Sequence, residues 1–243
     1  MKKLEDELCV KLFIRNKRSS LILTDVGERI LLLANQMQAL ENRLYQTAME
    51  ENELSGGVVR IAAVPIGTSI ILPRISPIFR KQFPDVKVEL LESNPLEVKN
   101  MVLDYKADIG ISTSPYLGLQ HRVLTKDHMV SVNRDKAVSV DLRKVQTDLV
   151  LCRIARDSIA EQENIDLSHA MIVDAASTQL NMVSQGNGTG VLSELMLSSI
   201  PNSLVIGKVK PDIEVEISLI AHDFNELSPA AEKMADMILE RKF

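Results

Sequence analysis

The sequence predicts an α/β protein in which a segment of different character, mostly helical, precedes a run of alternating strands and helices. Three observations carry this. From Val58 onward, short β-branched runs alternate with helical stretches, the pattern of a sheet built from parallel strands. Before it, Glu28 to Ser55 contains neither Pro nor Gly and is longer than a typical globular helix. Between the two, "LSGG" at 54–57 offers Gly for a helix end and marks a linker.

Composition narrows the class. At 243 residues the chain is long enough for one large domain or two small ones. Trp is absent and aromatics are 3%, so the core must be aliphatic: Leu, Ile, Val, Ala and Met. No apolar run reaches membrane-spanning length, and the charged N-terminus is unlike a signal peptide, so no membrane partner and a cytoplasmic location are expected. Cys9 and Cys152 lie far apart and read as buried small hydrophobes, not as a disulfide or a metal pair. The net charge is −5, yet residues 1–23 carry six bases against three acids, so the rest is strongly acidic. A basic tip on an acidic protein is a candidate phosphate-contacting patch, with a solvated turn as the plainer alternative.

The elements follow in order. Residues 1–9 read as helix, with no capping residue before the first turn. Lys11–Ile14 and Leu21–Leu23 flank a polar basic run, which is a hairpin pattern. Thr24 suits an N-cap, with Asp25 and Glu28 placed where the helix dipole favours acid. The long helix carries Ile30, Leu33, Met37, Leu40 and Leu44 at alternating spacings of three and four, a heptad seam. Its flanks, including Gln36, Asn42 and Gln46, are polar. A narrow apolar stripe on a polar helix favours pairing with a second copy over packing on one core.

Beyond the linker, "VVRIAAVPI", "VKVELLES" and "ADIGIS" read as strands, interleaved with the helices "SIILPRISPIFRKQF" and "PLEVKNMVLDY". Pro73 and Pro77 inside the first of these imply a late start or a kink. "HMVSVNR", "DLVLCR", "AMIVDA", "GVLSEL", "SLVIGKV" and "VEISLIAH" are further strand candidates, and a helix runs from Pro229 to the end.

The chemistry argues against catalysis. "SQGNGTG" lacks the G-x-G-x-x-G spacing and follows a helical stretch, so it reads as a helix C-cap and turn. His121, His128, His169 and His222 are scattered without ligand spacing, and no G-x-S-x-G elbow is present. No enzyme activity, metal or cofactor is expected. Small polar residues instead collect where strands end, at "VPIGTS" (64–69), "STSP" (112–115) and "AASTQ" (175–179). In open α/β sheets ligands sit beyond the carboxyl ends of the strands, and helix N-termini there present free N–H groups. Such loops suit a small polar or carboxylate ligand, although each hydroxyl could instead only cap its own helix.

The run Leu4-Glu5, Leu8, Val10-Lys11-Leu12-Phe13, Arg15, Leu23-Thr24 and Gly27-Glu28 resembles, position by position, the LysR-type transcriptional regulators from the end of the recognition helix through the wing into the linker helix. The likeness continues through Arg60-Ile61, Leu72-Pro73, Phe79, Phe83-Pro84, "ADIGIS" and "MVSQGNGTGVLSEL". The family usually has Gly where Cys9 stands. The resemblance places Met1 inside the recognition helix, so the chain reads as a regulator shortened at its N-terminus.

The resemblance implies a two-lobed, periplasmic-binding-protein-like effector domain behind a partial winged helix-turn-helix (1–23) and a linker and dimerisation helix (24–57). One lobe would hold 58–129 and 218–243, the other 130–217. DNA contacts would come from Lys2, Lys3, Arg15, Lys17, Arg18 and Ser19, weakened by the missing start. Ile30, Leu33, Met37, Leu40 and Leu44 would form the seam of a homodimer or homotetramer. A small effector would meet Pro65, Ile66, Gly67, Thr68, Ser69, Ser112, Thr113 and Thr178, and RNA polymerase is an implied partner. The rival reading, a solute-binding protein of a transport system, fits two lobes but not the basic wing or the heptad helix.

Overall fold

The first helix, α1 (Lys2–Leu8), ends at Cys9, whose φ of 53° is left-handed. Cys9 is exposed, not buried as its residue type suggested, because it turns the chain out of the helix. The hairpin forms from β1 (Phe13–Arg15) and β2 (Leu21–Leu23), antiparallel with Phe13 opposite Leu23. This computed structural model describes residues 2–15, 21–50, 56–144, 147–160, 165–201 and 203–243. The basic turn with Lys17, Arg18 and Ser19 lies outside the described residues. Glu5 ties the helix to the hairpin: its carboxylate accepts the N–H groups of Leu12 (2.7 Å) and Phe13 (3.3 Å), which hold its pKa below the ordinary value.

Thr24 caps the long helix α2 (Asp25–Glu50) as its sequence implied, its hydroxyl accepting the Gly27 N–H at 2.9 Å and donating to Lys11 O at 2.7 Å. Gly27 is required by contact: a Cβ there would stand 2.3 Å from the Leu12 carbonyl oxygen. The polar flank of α2 is not simply solvated. Asn35 donates to Asp104 O at 3.0 Å, and Asn42 and the buried Gln46 both donate to Val58 O at 3.2 Å. These bonds seat one face of α2 on the domain that follows.

That domain has two lobes. In the first, β3 (Val58–Ala63) lies between β4 (Lys87–Glu92) and β5 (Ile109–Thr113), all parallel, with α3 (Leu72–Gln82), α4 (Pro95–Leu103) and α8 (Pro229–Leu239) packed on them. In the second, β8 (Leu149–Cys152) lies between β9 (Met171–Val173) and β10 (Thr189–Ser193), again parallel, with α5 (Arg153–Ala160), α6 (Ala176–Ser184) and α7 (Glu194–Ser199). β8 is buried along its whole length, as expected of a central parallel strand.

Two antiparallel strands join the lobes. β6 (Gln120–Asn133) pairs with β12 (Glu214–Ala221) over residues 120–128, then with β10 and with β11 (Val205–Lys210) over 129–133. The short β7 (Val140–Asp141) pairs with β11. Crossing strands need no helix between them, which is why the sheet is mixed and not uniformly parallel. The boundary expected at 217/218 falls inside β12, whose ladder with β6 runs from Glu214 to Ala221.

Two local readings change. The helix holding Pro73 and Pro77, expected to start late or to kink, begins at Pro65 and passes through a π turn, Gly67–Ile71, where the Leu72 N–H donates to Gly67 O five residues back. The wider turn brings Pro73 to the first positions of α3, where a missing N–H is tolerated. "GVLSEL" is strand only to Ser193, whose hydroxyl then caps α7 by accepting the Met196 N–H. "SQGNGTG" is a helix end: the Gly186 N–H donates to Val183 O and the Asn187 N–H to Met182 O, a Schellman motif with Gly186 at φ 86°.

Candidate functional site

The carboxyl ends of β3, β5, β8 and β9 point toward the space between the lobes, and a cavity of about 450 Å³ lies there. Pro65, Ile66, Ser69 and Thr113 line it from the first lobe. Cys152, Ser158, Ser177 and Ser193 line it from the second, and β6 and β12 contribute Met129 and Val215. A smaller cavity of about 290 Å³ adjoins it, sharing Thr113, Ile154, Ser158 and Val215. These volumes are in the range of small-molecule sites.

Four of the eight residues expected at an effector site therefore share this cavity: Pro65, Ile66, Ser69 and Thr113. The other four lie outside its lining. Gly67 is buried against β3 and β5, where a Cβ would stand 2.9 Å from the Ala63 side chain. Thr68 turns its hydroxyl to the Glu92 carboxylate and to Pro65 O. Ser112 is buried, its hydroxyl donating to Thr113 O at 3.2 Å. Thr178 is exposed, and Ser177 takes the cavity position on α6.

Sequence reasoning missed Ser158, Ser193 and Cys152. All three look like interior positions of helix or strand until the second lobe is assembled. Burial raises the pKa of the Cys152 thiol, partly opposed by the N–H groups of Ala155 and Ile154. Apolar residues dominate the lining; its charged members are Glu92 and Asp174, and neither Lys nor Arg is among them. Arg153 pairs with Asp174, its Nε 3.1 Å from a carboxylate oxygen.

Asp127 ties β6 to the start of α7. It is buried on β6, accepts the Ser193 hydroxyl and the Leu195 N–H of α7, and so fastens a second-lobe helix to the strand shared by both lobes. Of the residues expected to touch DNA, Lys2 and Lys3 are exposed on α1 and Arg15 ends β1. On α2, Leu33, Met37, Leu40 and Leu44 are 57–72% exposed within one chain, while Ile30 is half-buried. Among the described residues no group of three or more His, Cys, Asp or Glu could hold a metal ion. Among them, no helix is long and apolar enough to cross a membrane.

Residues 52–242 match the LysR substrate binding domain. The chain belongs to the LysR family of transcriptional regulators. The HTH-type transcriptional regulator YoaU of Bacillus subtilis (strain 168) is 38% identical over 248 residues, covering 98% of this chain and 86% of YoaU. Full-length OxyR of Pseudomonas aeruginosa superposes with a TM-score of 0.73 at 21% identity, over 98% of this chain and 83% of OxyR. CbnR, solved in complex with its target DNA, superposes at 0.60 and 17% identity, over 98% of this chain and 86% of CbnR. The last two share its fold. As a LysR-type regulator, this bacterial protein couples an effector-binding domain to control of DNA binding, and the two lobes behind α2 are that domain.

Proposed function

We propose that a small effector binds in the cavity between the lobes and that its binding is passed to α2 and from there to DNA. The observation that carries this is the convergence of strand ends from both lobes, with Ser69 and Thr113 facing Ser158, Ser177 and Ser193 across one 450 Å³ space. A ligand that touches both lobes binds a closed arrangement better than an open one, and that difference in affinity shifts the population. α2 is positioned to feel the shift, because Gln46 bonds both Val58 at the start of β3 and Ala230 at the start of α8.

In this reading α1 is the end of a recognition helix, and Lys2, Lys3, Arg15, Lys17, Arg18 and Ser19 contact DNA. Ile30, Leu33, Met37, Leu40 and Leu44 pair with the same seam of a second copy, giving a homodimer or a homotetramer. RNA polymerase is a further partner, and the cytoplasm is the site of action.

The test is a thermal-shift screen of small molecules against the wild type, Ser69→Phe and Ser177→Phe. The two substitutions place a ring at the cavity from either lobe, at positions that are exposed and so tolerant of change. Hits that stabilise the wild type and lose their effect in both variants are expected. A ligand bound equally well by all three proteins would remove the cavity from the function.

A further inference from the structure

The charge of this cavity is not that of an anion site. Its lining holds twelve apolar residues and two carboxylates, and no cationic side chain. Asp174 is neutralised by Arg153 at the rim. Glu92, at the end of β4 in the first lobe, has no cationic partner among the described residues; it accepts only the Thr68 hydroxyl.

Helix N-termini could still supply positive potential, but several of their donors already have acceptors. Near the start of the helix at Pro65, the Gly67 and Thr68 N–H groups donate to Val64 O. Those of Leu195 and Met196 in α7 are taken by Asp127 and the Ser193 hydroxyl. α6 lacks a side-chain cap, and there Asp174 stands directly before the N-cap residue Ala175. A bound carboxylate would find no cationic side chain in the lining and Glu92 opposing it.

We infer that the effector is a small organic cation, an amine with an apolar body, and that Glu92 is the residue that selects its charge. This rests on the cleft being the effector site. The apolar body fits against Ile66, Met129, Leu192 and Met196, and the ammonium group meets Glu92, which Thr68 orients. The assignment also gives Glu92 a part in switching. In the open cleft its charge is solvated. Closure without a cation would strip that water with nothing in return, whereas closure on an ammonium group pairs the charge.

Calorimetric titration with three probes of one shape tests this: cyclohexylmethylamine, cyclohexylmethanol and cyclohexanecarboxylate. The wild type is expected to bind the amine most tightly and the carboxylate least. Glu92→Gln, at an exposed position, should weaken the amine roughly tenfold to a hundredfold, as for loss of a hydrogen bond to a charged group, and leave the alcohol unchanged. Ser69→Phe and Ser177→Phe should weaken both. Carboxylate binding that matches the amine, amine binding indifferent to Glu92→Gln, or no amine binding at all would overturn the assignment. If the carboxylate binds and both Phe variants block it, the cleft stands and the charge class falls. If Glu92→Gln weakens the amine while the Phe variants do not, the cleft itself is wrong.

Discussion

The Oε1 atom of Gln46, in α2, accepts the N–H of Ala230, in the first turn of α8, at 3.0 Å. A side chain of α2 thus caps a helix of the effector-binding domain 184 residues away in sequence. Ser228, the residue in position to cap α8 itself, makes no cap bond.

Replacing Gln46 should therefore uncouple α2 from the domain. Gln46 is 1% exposed, and Gln46→Ala would leave the Ala230 N–H without its acceptor, at a cost of about 1–3 kcal/mol. Urea unfolding should show the loss, and amide exchange near Val58 and Ala230 should speed up. Unchanged exchange at both places would mean the contact does not hold the helix.

The seam of α2 faces away from that contact. If it pairs with a second copy, Leu40→Asp places an unpaired charge in an apolar interface, which is strongly unfavourable. Sedimentation should move toward monomer, and a variant that keeps the wild-type mass would place the copy-to-copy contact elsewhere.

Cys9 sits at φ 53°, where a side chain costs about 1–2 kcal/mol relative to Gly. Cys9→Gly should firm the junction between α1 and β1, partly offset by the greater freedom of Gly in the unfolded chain. Slower amide exchange at Leu12 and Phe13, the donors to Glu5, is the expected sign.

Asp108 accepts the Arg60 N–H at 2.7 Å, yet burial raises its pKa, with that bond and the Arg60 charge opposing the rise. A raised carboxyl pKa means stability that is complete below the ordinary Asp value of about 4 and is lost as pH climbs through the shifted value. Asp108→Asn removes this dependence. Unfolding measured from acid to neutral pH should show the variant gaining on the wild type as pH rises. A constant difference would contradict the shift.

Lys2 and Lys3 are exposed on α1 and suit phosphates, which position a protein without reading sequence. Removing both should flatten the dependence of log affinity on log salt by about 1.8, equally on operator and random DNA. A loss confined to the operator would make them base-reading residues.

Local sequence by itself determined the features held by neighbouring residues. Thr24 announced α2 because its hydroxyl reaches an N–H three residues on, and the Gly186 turn was legible because its Schellman bonds are equally short-range. The heptad stripe was legible because helix geometry alone puts Leu33, Met37, Leu40 and Leu44 on one face. Tertiary structure decided what depends on distant partners. The first half of β6 is mostly exposed and carries no apolar alternation, so only its ladder with β12 defines it. Ser193 caps α7 locally, but the acceptor of its own hydroxyl is Asp127, 66 residues away on β6. The site followed the same division. Strand ends could be read as a ligand face, but strand parity sends Thr113 into the cavity and buries Ser112 behind it, and helix rotation puts Ser177 there instead of Thr178. The charge of the cavity was beyond sequence reading, because Glu92, Asp174 and Arg153 acquire a common environment only when the two lobes face each other.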